Sequence, residues 1–155
     1  MFNIDSLLDA VKKVGVKVTK ETASYMPALL SEEKRFSNAY AACLALLICA
    51  DYEVEESETI AAIGFIQKDK LLNEMGLTLS TLEYYGGFIK ELSAYFNDKP
   101  SFIVQKAKVI EKHVVVDLQN KYKIYLKELC TQLVGVNANA NELEVKGELL
   151  TAIDK

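Results

Sequence analysis

Residues 39–50, AYAACLALLICA, carry no charge on any face of the helix they would form. A helix that is apolar all round is one buried on every side, not one lying on a surface. The segment therefore predicts the central core helix of a helical protein. Ser31 offers an N-cap, and Glu32 and Glu33 suit the positive end of a helix dipole, so this helix is expected from Ser31 to about Ala50. Immediately after it the chain turns acidic. Between Phe36 and Gln67 lie five acids, Asp51, Glu53, Glu55, Glu56 and Glu58, and no Lys or Arg. All five fall in DYEVEESE (51–58), and with a net charge of −4 for the whole chain the remainder is close to neutral.

A chain of 155 residues is expected to form one domain with a sizeable core. Half of it is apolar and only two residues are proline, and with Ala, Leu, Lys and Glu frequent it reads as all-α. Val-rich stretches at 14–18 and 114–116 are the only competing strand signals. No apolar run reaches the roughly 18 to 20 residues a membrane span requires. The N-terminal MFNIDSLLDAVKK lacks a basic leader and a small-residue cleavage site, so no secretory signal is read. A cytoplasmic location is expected. Cys43, Cys49 and Cys130 are odd in number and form no CxxC, which fits reduced core thiols.

Ile4, Leu7, Leu8, Val11 and Val14 recur at helical spacing, so residues 1–30 are expected to hold an amphipathic helix and a connection, with the main helical domain at 31–155. After the acidic loop, Glu55 is expected to cap a third helix with Glu58 closing the box, and Ile60, Ile63 and Ile66 to form its buried face. Residues 68–74 suggest a short helix stopped by Gly76. Ser80-Thr81-Leu82-Glu83 reads as a capping box opening a helix to about Asn97, with Gly86 and Gly87 permitting a bend or a close helix approach. Pro100 suits the first position of the next helix, with Phe102, Ile103, Ala107 and Ile110 inside. Asp117 is expected to cap a helix running to about Val136, carrying Leu118, Tyr122, Tyr125, Leu126 and Leu133. The whole predicts a single compact bundle of about seven to eight helices.

The end of the chain echoes its centre. Setting Asn137 on Asp51 places NANANELE over DYEVEESE, 86 residues apart. Asn139 then matches Glu53, Asn141 matches Glu55, Glu142 matches Glu56 and Glu144 matches Glu58. Each octet separates two apolar helix candidates. The organisation reads as a helix–acidic loop–helix unit used twice, its second loop reduced to asparagine at the leading positions.

Asp51 falls near the negative end of a helix, where a carboxylate is unfavourable by several tenths of a kcal/mol, and Glu53 adds like charge. Loop N–H groups or a bound cation must offset this. Hard cations such as Ca²⁺ or Mg²⁺ take carboxylate oxygens, and Asp51, Glu53 and Glu58 are the candidate ligands. The alternative is that Asp51 and Glu58 act as caps while the other glutamates are solvated. The loop is not an EF-hand, since Glu56 occupies the sixth position and Ala62 the twelfth.

Ala50-Asp51-Tyr52-Glu53-Val54-Glu55-Glu56-Ser57-Glu58 resembles the A-D-G-E-V-x-x-x-E signature of the tellurite-resistance TerB-like family. The weaker second copy extends the likeness over most of the chain beyond about residue 30. The resemblance implies an all-helical cytoplasmic stress-resistance protein whose acidic loop binds a divalent metal through Asp51, Glu53 and Glu58, with Glu144 matching in the second copy. It also implies association with other resistance proteins, including a membrane-bound component. Two departures stand out: Tyr52 replaces the glycine, and asparagines replace the leading acids of the second loop.

Other classes are less well supplied. The segment 99–127 holds seven lysines against Glu111 and Asp117. With Arg35 the single arginine, no tryptophan and a pI near 5.1, that face reads as solvated or as meeting an acidic protein rather than nucleic acid. His113, the single histidine, has no nucleophile motif beside it, reads as a surface or half-buried helix residue, and no enzyme is expected. A metal-assisted hydrolase built on Asp51 and Glu58 would need further acids or a histidine at the loop. The expectation is a binding or scaffold protein, either holding a divalent cation at the acidic loop or acting as a metal-independent protein-interaction module through the acidic loop or the lysine-rich helices.

Overall fold

In a computed structural model, residues 29–135 and 138–155 are described. The amphipathic helix expected near the N-terminus lies outside them. Among the described residues there are seven α-helices and no strand: α1 (Glu32–Ile48), α2 (Glu56–Lys68), α3 (Lys70–Glu74), α4 (Thr78–Ser93), α5 (Lys99–Val109), α6 (Asn120–Leu133) and α7 (Ala140–Ile153). A 3-10 turn, Cys49–Asp51, extends α1, and a π turn, Ile110–Val114, extends α5. The valines at 114–116 thus end a helix instead of forming a strand. No described helix is long and apolar enough to cross a membrane.

The central helix is the one the charge-free segment predicts. Ser31 caps α1, its hydroxyl accepting from the Lys34 N–H at 3.2 Å. Every residue from Phe36 to Leu47 is buried. It packs most extensively on α4, and also on α6, the π turn and α7. Each of its large apolar side chains contributes about 1.5–3 kcal/mol by leaving water. Phe36 lies 4.8 Å from the Tyr122 ring and 5.8 Å from Tyr125, centroid to centroid, which joins α1 to α6. Arg35 ties the same end down, its guanidinium donating to the Asp117 and Leu30 carbonyls at 3.0 and 2.6 Å.

Several details differ from the expected pattern, each for a local reason. Ile63 and Ile66 are buried as expected, but Ile60 is 59% exposed because the stripe that α2 buries runs through Thr59, Ala62, Ile63 and Ile66. The box at Ser80 does not form: α4 starts two residues earlier, and Ser80 and Thr81 donate inside it to the Leu77 carbonyl. Gly86 and Gly87 are buried within an α4 that continues through both. Pro100 takes the second helical position, because Asp98 caps α5 by accepting from Ser101. Asp117 caps nothing; Gln119 precedes α6 and is held by the Glu32 carboxylate through its backbone N–H, at 2.9 Å, and its side-chain amide. Phe102 is buried as expected, but Ile103 and Ala107 face solvent, and Val109 is the other buried residue of α5. The three cysteines are free thiols in the core. His113 is fully buried, contrary to the surface or half-buried position expected of it. The wider π turn carries it against α1, where its Nδ1 meets the Asn38 amide nitrogen at 2.7 Å, and its ring lies 4.9 Å from that of Phe88.

Asp69 is a second polar anchor that no motif announces. It caps α3, accepting from the Leu72 N–H at 3.0 Å, and takes phenol hydrogen bonds from Tyr40 of α1 at 2.7 Å and Tyr125 of α6 at 2.9 Å. Burial raises the Tyr125 phenol to about 12, with the bond to Asp69 and that carboxylate's charge adding to the effect. Burial and Asp69 push Tyr40 up as well. A phenol whose folded pKa exceeds its unfolded value adds stability that is complete below pH ~10 and lost as pH climbs toward 12. Asp69→Ala removes the cap and both charge-assisted bonds, and is expected to cost about 2–4 kcal/mol in urea unfolding. Tyr125→Phe should flatten the stability loss between pH 10 and 12, and an unchanged alkaline slope in that variant would contradict the assignment.

Candidate functional site

The acidic loop begins where α1 ends. Tyr52 closes the 3-10 turn, donating its N–H to the Cys49 carbonyl at 3.0 Å, and adopts φ 61, ψ 27. It is the one described non-glycine residue with positive φ. A left-handed conformation costs an L-residue with a Cβ roughly 1–2 kcal/mol. Packing offsets it: the Tyr52 ring meets Phe102 of α5 at 4.9 Å, and the Lys99 ammonium stands 5.1 Å from its centroid. Tyrosine thus holds a backbone conformation that glycine would enter freely. Val54 is buried beneath the loop, and Glu58 accepts from the Glu55 N–H at 3.0 Å, closing the box that opens α2.

Asp51 is answered by the second loop. Its two carboxylate oxygens accept from the side-chain amides of Asn139, at 2.8 Å, and Asn141, at 3.1 Å. Asn139 is also the N-cap of α7, its amide oxygen accepting from the Glu142 N–H at 2.9 Å. The charge at the negative end of α1 is therefore met by two amide dipoles. The caps do not coincide in the octet alignment, however. Glu55 would match Asn141, whereas α7 is capped by Asn139, two residues earlier.

Asp51, Glu58 and Glu142 rim a pocket of about 260 Å³. Its walls are apolar: Leu44, Leu47 and Ile48 of α1, Ala61, Ala62 and Phe65 of α2, and Leu133 and Val134 at the end of α6. Of the candidate ligands, Asp51 and Glu58 come together here. Glu53 and Glu144 are exposed and line no part of it. Among the described residues no group of three or more His, Cys, Asp or Glu side chains is gathered as a metal ion needs. Glu142 and both asparagines escaped recognition as site residues. Their one signal in the sequence was the alignment of NANANELE with the acidic octet.

Burial raises the Glu58 carboxyl above its usual value. The Glu55 N–H pulls it back, and the charges of Glu55, Asp51 and Glu53 raise it further. Comparison with known proteins finds no matching family model, no similar curated protein and no similar solved structure.

Two outcomes test this geometry. Since the Glu58 pKa is raised from 4.5, the folded chain binds that proton more tightly, and stability falls as pH rises through its titration. Glu58→Gln keeps the cap acceptor and removes the repulsion. It is expected to raise stability at pH 7 by a few tenths of a kcal/mol, up to ~1, an advantage that vanishes below about pH 4. For the loop backbone, Tyr52→Asn and Tyr52→Val both lose the ring contacts, but asparagine tolerates positive φ and a β-branched residue does not. The valine variant should be less stable by about 1 kcal/mol, and equal melting temperatures would argue against a left-handed residue 52.

Proposed function

We propose that this chain is a small helical binding module whose site is the carboxylate-rimmed apolar pocket beside residues 51–58. The observation carrying the proposal is the placement of Asp51, Glu58 and Glu142 at the mouth of one pocket with aliphatic and aromatic walls. Such a site suits a ligand that pairs a hydrophobic anchor with a cationic group: a protein segment with Leu or Phe beside Lys or Arg. The carboxylates would steer and select the partner, and the apolar walls would supply most of the contact area.

This reading is compatible with a TerB-like protein of the tellurite-resistance kind, built on a helix–acidic loop–helix unit used twice and working with other proteins in the cytoplasm. The left-handed conformation of Tyr52, at the place of the signature glycine, supports it. So does the meeting of the two loops through Asp51, Asn139 and Asn141.

A divalent cation held by Asp51, Glu53 and Glu58 is the second reading, favoured by the burial that raises Glu58 and by the added repulsion from Glu55, Asp51 and Glu53. Asp51 and Glu58 could supply hard oxygen ligands for Ca²⁺ or Mg²⁺. Glu144 would then serve a separate, weaker site.

Amide NMR titrations separate these readings. An amphipathic peptide of leucine and lysine is expected to shift the pocket residues, less so at high salt, whereas its leucine–glutamate counterpart does not. Asp51→Asn with Glu58→Gln should weaken peptide binding by about tenfold, equivalent to 1.4 kcal/mol. Equal responses to both peptides, or none, would overturn the interaction reading. Saturable shifts with Ca²⁺ or Mg²⁺, confined to residues 50–60 and absent from the double variant, would make the cation reading correct.

A further inference from the structure

The acidic pocket has no basic residue in its lining, and Asp51, Glu58 and Glu142 form no ion pair with any described residue. Glu53, Glu55 and Glu56 stand exposed on the same loop. Residues 10–20 of the chain, AVKKVGVKVTK, have the opposite character: four lysines, four valines and no acid. At helical spacing Leu7, Val11, Val14 and Val18 fall on one face. Lys12 and Lys17 border that face on either side, while Asp5 and Asp9 fall opposite it. The lysines of α5 and α6 belong to helices already packed in the bundle, whereas this stretch precedes α1.

We infer that residues 7–18 of this chain are the resident occupant of its own acidic pocket, the Leu7–Val18 stripe against the apolar walls and Lys12 and Lys17 toward Glu58 and Glu142. The inference rests on the reading of the pocket as a site for an apolar segment that carries cations. Charge complementarity selects the segment, because a basic amphipathic helix meets an acid-rimmed apolar site with both of its faces satisfied. Reach permits it. The pocket lies by the last turns of α1, at Leu44, Leu47 and Ile48, and the 17 residues of that helix span roughly 25 Å. The chain from Lys20 to Leu29, where the described residues begin, extends to roughly 30 Å. A segment tethered that closely is present at an effective concentration on the order of millimolar, so a modest intrinsic affinity keeps it in place. Any outside partner must then displace it, and binds with an apparent affinity lowered by the fraction of pockets left open.

Paramagnetic relaxation in NMR spectra of the full chain tests this. A nitroxide attached at Ser6→Cys, the thiols of Cys43, Cys49 and Cys130 being buried, is expected to broaden the amides of Ala61, Phe65 and Glu142 to the same extent at every protein concentration. Lys12→Glu with Lys17→Glu should abolish that broadening. The same double variant should bind the leucine–lysine peptide at least ~fivefold more tightly than the native chain, because its pocket is vacated. Ala61→Gln narrows the pocket from an exposed helical position, and should release the segment and weaken the peptide together. A native chain that shows no broadening, yet takes the peptide at the pocket, overturns the inference and leaves the reading of the pocket standing. A lysine double variant that ignores the peptide overturns that reading, and the inference with it. Broadening that passes from a spin-labelled chain to an unlabelled one mixed with it puts the segment on a second copy and overturns the intramolecular contact.

Discussion

A helix with no solvent face must find a protein partner for every polar side chain it carries, because an unsatisfied buried group costs about 1–3 kcal/mol. In α1 that requirement fixes its neighbours. Ser37 bonds Thr81 of α4 at 2.7 Å, Asn38 bonds His113 of the π turn, and Tyr40 bonds Asp69 at the cap of α3. Apolar burial alone would let the surrounding helices slide or rotate. Three polar contacts on successive sides of one helix hold three different elements in register with it.

The same helix generates the site at its far end. A helix buried to its last turn must deliver the chain to the surface abruptly, and the 3-10 turn with left-handed Tyr52 does so within four residues, Cys49 to Tyr52. That places Asp51 where a carboxylate is least welcome. The chain answers it with Asn139 and Asn141 from a segment nearly ninety positions away. Asparagine at both of those positions therefore has a physical meaning: carboxylates there would repel Asp51, and amides turn the contact into attraction. Glu58 and Glu142 line the pocket beside its apolar walls, in no ion pair with any described residue.

Much of this was legible in the chain because it depends on local rules. The buried helix followed from a charge-free run, its start from Ser31, the box at Glu55 and Glu58 from capping chemistry, and the stop after α3 from Gly76, which takes φ +69. Where reading failed, two local signals competed and packing chose between them. Ser80 had the pattern of a cap, but α4 opens at Thr78 and draws the hydroxyl inside. Ile60 and Ile103 had the spacing of core residues, but the helices are turned so that Thr59 faces the core beside one and Phe102 beside the other. His113 had no motif, and only the π turn brings it to Asn38.

What the sequence alone determined is therefore the fold class, the identity of the central helix and the presence of one concentrated acidic loop, since these depend on periodicity, capping and charge along a contiguous stretch. What only the tertiary structure decided is which distant residues share a site. Glu142 joining Asp51 and Glu58, the asparagines meeting Asp51, and Asp69 joining Tyr40 and Tyr125 are all set by how helices pack. Long-range contacts leave no periodic trace in a single chain, because the side chains that meet are chosen by the angle and depth at which whole helices come together.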